Sequence, residues 1–323
     1  MSSTSELYYE ADLTKVQTTS VLHRTSRVQA SEVRLVAPRC AAAETAVEAL
    51  PDFLGAADLR RTVQWWEKAV LADRGVLLMC GGHVIKVGLG PMIVELMREG
   101  AIGHLVLNGA AAIHDLELAC FGHTSEDVGQ GLQTGQFGTW EETGQWFAQA
   151  ARESRRGRGL GEALCQLVAQ QTDDARRHVS VLAMAHMLGV PVTVHAAIGT
   201  DIVHQHPLMD GADLGEATAR DFRRLAGYLP RLDQGGLVLN WGSAVVLPEV
   251  FVKALNVSRN LTSRPFDIRA VNCDMQRHYR PEQNVLRRPT EGGQAAINLI
   301  GQHEILLPLL GWTVIERLRR RDL

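Results

Sequence analysis

Between Gly75 and Gly122 the chain passes twice through one pattern, and this repeat limits the possible folds more than any other feature of the sequence. The apolar run Gly75 to Met79 enters the turn Cys80-Gly81-Gly82-His83, and helical spacing follows from Met92 to Arg98. A second apolar run, His104 to Leu107, enters the small-residue turn Asn108 to Ala112, ahead of a helical stretch from Asp115 to Phe121. Strand, turn, helix, strand, turn is the βαβ unit of a dinucleotide-binding sheet. In such a sheet the turns gather at the carboxyl ends of parallel strands, where backbone N–H groups and helix starts favour a phosphate. Gly81-Gly82-His83 is not the Gly-x-Gly-x-x-Gly fingerprint, so a second reading stays open in which these glycines only make tight connections.

The rest of the chain repeats the theme. Helical periods cover Ala41 to Leu50, Leu59 to Leu71, Glu141 to Arg152, Leu160 to Gln171, Val179 to Leu188, Glu216 to Tyr228, Pro248 to Asn256 and Glu304 to Arg321. Strands are expected at Val190 to Ala197, Gly236 to Asn240, Asp267 to Asn272 and Ala295 to Ile300. Thr124 or Ser125 is placed to cap a helix with Glu126 and Asp127 in its first turn, and Gly129 to Gly138 has the composition of a loop. Strand after strand ends in Gly, Asn, Asp or Ser and leads into a helix, which predicts a doubly wound, mostly parallel sheet with helices on both faces. Residues 1–40, polar and weakly periodic, are expected to form an N-terminal arm before a single domain over 41–323.

Composition narrows the function classes. The hydrophobic fraction of 46% and charged fraction of 21% are those of an ordinary soluble enzyme. A net charge of -3 gives the chain no general attraction to nucleic acid or an anionic membrane. No apolar run is long enough to span a bilayer, and the polar N-terminus does not resemble a secretory signal. Cys40, Cys80, Cys120, Cys165 and Cys273 have no paired spacing and read as reduced thiols in a cytoplasmic protein. The basic cluster Arg152 to Arg158 and the run Arg317 to Arg321 read as solvated helix ends.

From Gly75 to Trp312 a series of short matches, in one order, resembles deoxyhypusine synthase and its bacterial relatives, in the NAD-binding superfamily that includes sirtuins. Cys80 to Leu89 is similar in position to the family's Ser-Asn-Leu-x-Ser-Ser-Gly turn, and Asn108 to Asp115 to its Thr-Ala-Gly-Gly-x-x-x-Asp. Ser180 to Val192 resembles its helix leading into Ile-Pro-Val-Phe, and either Thr200-Asp201 or Asp210-Gly211 stands for its Thr-Asp-Gly. Gly242 to Val246 resembles Gly-Gly-Gly-Val-Val, and Gly301 to Leu310 the closing Asp-Ala-Ser-x-x-x-Pro-Leu-Leu. The resemblance implies NAD across these turns, held by Gly81, Gly82, His83, Asn108, Gly109, Ala110, Asp115, Gly242, Ser243 and Asp274. It also implies a homotetramer with sites at subunit interfaces.

The departures bear on activity. The family's Trp-Gly-Lys, whose lysine forms an imine with the transferred group, has no counterpart in Asn284 to Thr290, and no lysine follows Lys253. Arginine does not replace it, because a guanidinium stays protonated. Hypusine formation is therefore not expected. His278, Arg280, Arg287 and Arg288 suit a small anionic substrate, since guanidinium groups grip oxyanions bidentately. The expected activity is NAD-dependent hydride transfer, with His114 or His204 as acid or base beside Asp201. Two rivals stand beside it: a metal-dependent hydrolase using His195, Asp201, His204 and His206, and a non-catalytic NAD-binding protein.

Overall fold

The computed structural model describes residues 13–32 and 42–320; half of the expected arm, residues 1–12 and 33–40, lies outside the described residues. Six strands form one parallel sheet: β2 (Val76–Cys80), β3 (His104–Asn108), β5 (Val192–His195), β6 (Gly236–Trp241), β7 (Ile268–Asp274) and β8 (Ala296–Ile300). Their order across the sheet is β5-β3-β2-β6-β7-β8, so the chain builds outward in one direction from β2, returns, and builds outward in the other. This is the doubly wound Rossmann order, with its reversal between β2 and β6. A separate antiparallel pair joins β1 (Ser26–Gln29) to β4 (His123–Glu126).

The central strands are buried on both faces, which is why β2 reads Val-Leu-Leu-Met-Cys without alternation. Leu78, Cys80, Leu105, Leu107, Leu237, Leu239 and Trp241 belong to one core layer, packed with helices that include Leu54–Leu71, Gly90–Arg98, Gly109–Phe121 and His303–Arg319. Leu77, Met79, Val106, Val238 and Ala270 belong to the other, under Gly211–Tyr228, Val246–Thr262 and the π-helical turn Glu282–Arg287. Among the described residues no helix is long and apolar enough to cross a membrane.

Three local expectations change. Asn108 to Ala112 is not a turn but the start of the helix Gly109–Phe121: the Asn108 side chain accepts from Ala111 N at 2.9 Å, and the alanines that follow are strong helix formers. Residues 123–126 are strand β4 rather than a helix start, because β1 supplies a partner from far upstream in sequence. The cap moves to Asp127, which accepts from Gln130 N, and Val128–Thr134 is a helix where a loop was expected.

The described part of the arm lies against its own chain. Arg24 is buried and reaches Glu117 through two hydrogen bonds of 3.0 and 2.8 Å. Thr124 and Thr143 donate to the same carboxylate at 2.6 and 2.8 Å. The Arg24 guanidinium, with Thr124, holds the Glu117 carboxyl below its usual range against the opposing effect of burial.

Buried carboxylates also pin helix starts. Asp115, fully buried, accepts from Ser180 Oγ (2.6 Å), Val181 N (2.8 Å) and Leu182 N (3.0 Å), at the first turn of the helix Val181–Leu188. Asp221 accepts from Gly161 N (2.7 Å) and Val194 N (2.8 Å), tying the start of the helix Leu160–Gln171 to β5. Burial outweighs these bonds and pushes Asp115 up to about 6 and Asp221 up to about 7.

A prediction with a definite sign follows for Asp115. An acid whose folded pKa exceeds its unfolded value keeps a proton that the unfolded chain gives up, so its contribution to stability falls as pH rises from about 4 to about 6. Asp115→Asn removes that ionisation, and its destabilisation will be smaller near pH 8 than near pH 5, as read from urea midpoints at the two values. Equal destabilisation at both would show that the carboxyl is not held protonated.

Candidate functional site

In doubly wound sheets the crevice lies at the carboxyl end where the strand order reverses, here between β2 and β6, and the ladder continues past the strand ends. Gly81 N donates to Trp241 O (2.9 Å), Gly242 N to Cys273 O (3.0 Å) and Gly301 N to Asp274 O (3.1 Å), so three glycine turns are tied side by side. Gly81 and Gly242 meet backbone to backbone. A Cβ at position 81 would lie on the Gly242 carbonyl oxygen and 2.6 Å from its carbon. Gly82 opens the short helix Gly82–Lys86 and packs on Ala110, whose Cβ an alanine at 82 would meet at 3.0 Å.

A row of asparagines sets the second turn. Asn240, Asn272 and Asn298 are register partners on β6, β7 and β8. Asn240 Nδ2 donates to Asn272 Oδ1 (2.7 Å) and to Ser243 O (3.0 Å), and Asn272 Nδ2 donates to Asn298 Oδ1 (2.8 Å). Ser243 Oγ accepts from Leu247 N at 3.2 Å, in the first turn of the helix Val246–Thr262.

Asp274, at the end of β7, stands between two imidazoles. His303 Nε2 lies 3.9 Å from its Oδ1 and His278 Nε2 3.9 Å from its Oδ2, while Met275 N donates to Oδ1 at 2.7 Å. The His303 ring is 5.8 Å, centroid to centroid, from that of His83. Gly242 takes φ +68°, and a side chain there would press on Val84 and on His303 Nε2 at 3.0 Å. His303 is buried, its Nδ1 has no partner among the described residues, and burial lowers its pKa. Sequence reading missed His303 and the asparagines. The signal for His303 was its place just after Gly301, the same strand, glycine, helix pattern that marked the other turns.

The expected site residues thus divide. Gly81, Gly82, His83, Gly242, Ser243, Asp274 and His278 cluster at the reversal, while Asn108, Gly109 and Ala110 stand at the end of the adjacent strand β3. Asp115 does not belong with them: its carboxylate is fully buried and fully used at the start of another helix.

Asp201 faces the start of the helix Gly109–Phe121. A Cβ on Gly109 would sit 2.7 Å from its Oδ1, and burial pushes its pKa up to about 6 despite the amides of Ala197 and Ala110. His114 points elsewhere, with Nδ1 2.8 Å from Thr124 Oγ1. Because that hydroxyl donates to Glu117, His114 must donate through Nδ1–H, and Nε2 keeps its lone pair. Burial lowers His114 to about 4, so it is neutral at physiological pH. His204 Nδ1 accepts from Gly199 N at 3.0 Å. Among the described residues His114, His204 and Asp201 are not hydrogen-bonded to one another, so each would act separately.

The metal reading also fails on geometry. His195 meets Thr193 Oγ1 at 3.2 Å, His206 Nδ1 accepts from Leu208 N at 3.2 Å while its ring packs over Gly144, and His204 is held as above. Among the described residues no three such side chains converge as metal ligands would. The anion-binding group is dispersed as well. Arg280 pairs with Glu249 (2.6 Å), Arg287 with Glu282 (3.2 Å), and Arg288 donates to Asn284 (2.6 Å). Arg287 and Arg288 sit at the far end of the π-helical turn, next to Pro289, which accepts from Arg259 near the end of Val246–Thr262. Only His278 and Arg280 stand near the end of β7, so the four do not make one pocket.

No protein-family profile matches the sequence, and no curated protein matches it. Among solved structures, unliganded AgrE aligns with a TM-score of 0.52 at 15% identity over 88% of this chain and 34% of that one. AgrE in a ternary complex with ornithine and NAD+ aligns with a TM-score of 0.50 at 16% identity over the same shares. The chain therefore spans about a third of the AgrE chains it matches. A putative deoxyhypusine synthase from Entamoeba histolytica reaches a TM-score of 0.46 at 10% identity, over 80% of this chain and 87% of that one, too low to carry an argument. At these identities the likeness to AgrE concerns the fold, and it agrees with the Rossmann-like α/β architecture built above.

Proposed function

We propose that this chain is an NAD-dependent enzyme that oxidises an alcohol or amine carbon by hydride transfer and does not make hypusine. The observation that carries the reading is the meeting of Gly81 and Gly242 at the reversal of a 3-2-1-4-5-6 sheet, the place where doubly wound folds receive dinucleotides. The residues present fit that group. The first amides of the helix Gly82–Lys86 have no carbonyl within their own helix and suit a pyrophosphate. Asp274 is a carboxylate able to accept from a ribose diol, and half-buried His83 supplies a flat wall backed by His303. AgrE, whose fold this chain resembles, has been solved with NAD+ and ornithine.

NAD supplies the hydride acceptor when bound. His114, neutral and held by Thr124, presents Nε2 as a proton acceptor, and Lys86 and His83 are near enough to lower its basicity. Asp274 stands 3.9 Å from both His278 and His303. The paired state of Arg280, Arg287 and Arg288 gives no support to an anionic substrate, and the substrate is left as an alcohol or amine.

Calorimetric titration of NAD into the full chain tests this. Saturable binding is expected, weakened about tenfold or more by Asp274→Ala through loss of a charge-assisted bond, and unchanged by Asp115→Asn. Absence of binding by the wild-type chain overturns the reading. Binding with no NADH formed across a panel of alcohols and amines favours the non-catalytic alternative.

A further inference from the structure

At the opposite, amino end of the sheet lies a groove of about 640 Å³ that none of the roles above uses. It is bounded by the loop Gly189–Pro191 before β5, by His104 at the start of β3, and by Tyr228, Arg224 and Arg231 around the end of the helix Gly211–Tyr228. Its size lies within the range of small-molecule sites. A second hollow of about 350 Å³ adjoins it and shares Pro191, Tyr228 and Arg231, adding Arg74 and Asp73 to the rim.

His104 makes this groove more than a surface hollow. The side chain is 3% exposed, its ring lies 4.7 Å from that of Tyr228, and its Nε2 meets Thr193 Oγ1 at 3.2 Å. Its Nδ1 is buried with no hydrogen-bond partner among the described residues. A buried polar atom without a partner is destabilising, and a ligand bonding to it would relieve that cost. The rim carries three arginines, Arg74, Arg224 and Arg231, against two carboxylates, Glu162 and Asp73. Arg224 is held by Glu162 at 2.6 Å, whereas Arg231, 61% exposed, reaches a wholly exposed Asp73 only at 3.7 Å. Its guanidinium is held less closely than that of Arg224. The walls between are largely apolar, from Cys165, Ala185, Val190, Pro191 and Val192.

We propose that this groove is a second binding site, for a small planar ring bearing a carboxylate or phosphate. The ring lies against Tyr228 and Pro191, a ring heteroatom or hydroxyl meets His104 Nδ1, and the acid group pairs with Arg231. The site also touches the front of the sheet. Thr193 Oγ1 stands 3.2 Å from the Nε2 of both His104 and His195, and one hydroxyl hydrogen lets it donate to only one of them. A ligand atom that accepts from His104 Nδ1–H leaves His104 Nε2 to accept from Thr193, and His195 must then carry its proton on Nε2 and donate it to the same hydroxyl, at the carboxyl end of β5.

Fluorine NMR with 4-fluoro-3-hydroxybenzoate as the probe, on the full chain without NAD, tests the site independently of the cofactor reading. Saturable line broadening in the millimolar range is expected, weakened about tenfold by Arg231→Ala and by His104→Phe, and not displaced by NAD. Arg231 is an exposed residue whose truncation leaves the core untouched, so that variant decides even where His104→Phe fails to fold. No saturable broadening, affinity unchanged in Arg231→Ala, or competitive displacement by NAD each overturn the proposal.

Discussion

Alanine at position 81 will abolish NAD binding and destabilise the fold by about 3 kcal/mol, at the upper end of the overpacking range. The backbone of Gly81 has φ -83° and ψ 163°, ordinary values for any residue, so the effect is steric alone. The new Cβ meets a carbonyl group of Gly242, and a backbone anchored by Gly242 N to Cys273 O and by the asparagine row has little room to withdraw. β2 and β6 must then part where the crevice is made. Gly82→Ala is the control: it meets the Ala110 Cβ at 3.0 Å, a contact relieved by a small shift, and costs about 1 kcal/mol. Urea unfolding and NAD titration on both variants read the difference. Wild-type stability and affinity in Gly81→Ala would show that the glycines are not in forced contact and that the crevice does not depend on their meeting.

Arg24→Ala is expected to cost about 3–5 kcal/mol, because it leaves Glu117 charged and buried without its cation. Glu117 is 1% exposed, and only Thr124 and Thr143 would remain to hold it. Either the acid takes a proton or the helix Gly109–Phe121 shifts toward water. In the second case the Thr124 hydroxyl loses its acceptor, and His114 loses the geometry that fixes its tautomer. Replacing the pair together, Arg24→Met with Glu117→Leu, should recover most of the loss, since two apolar groups of similar volume leave no stranded charge. Chemical denaturation of the single and double variants gives the answer. A single variant within about 0.5 kcal/mol of wild type would mean that the Arg24–Glu117 pair contributes nothing to stability.

The layers were legible in the sequence because the parallel strands are short, mostly apolar runs, most of them closed by Gly, Asn or Asp, and this signal is local. Helices Glu141–Arg152 and Leu160–Gln171 begin and end where their periods do. What depends on distant partners was not legible. β4 needs β1, and Asp115 looks like a ribose ligand until Ser180, Val181 and Leu182 are folded against it. A carboxylate beside a glycine turn and a carboxylate capping a remote helix have the same signature in one dimension. His303 and the asparagine row were hidden for the same reason: a single His or Asn in a strand–turn segment gains its meaning only from side-by-side register. The arginines erred in the other direction, since four cations close in sequence suggested one pocket, and each of the three arginines is answered by a different neighbour.

The row Asn240–Asn272–Asn298 runs from the sheet's outer rim to its middle. Amides bonded in series transmit loosening as well as support, so fraying of β8 releases Asn272, then Asn240, and with it the carbonyl of Ser243. The breathing of the outermost strand is thereby tied to the firmness of an inner turn, and whatever settles on that rim, whether solvent, another protein or a crystal neighbour, acts on the interior through three side chains.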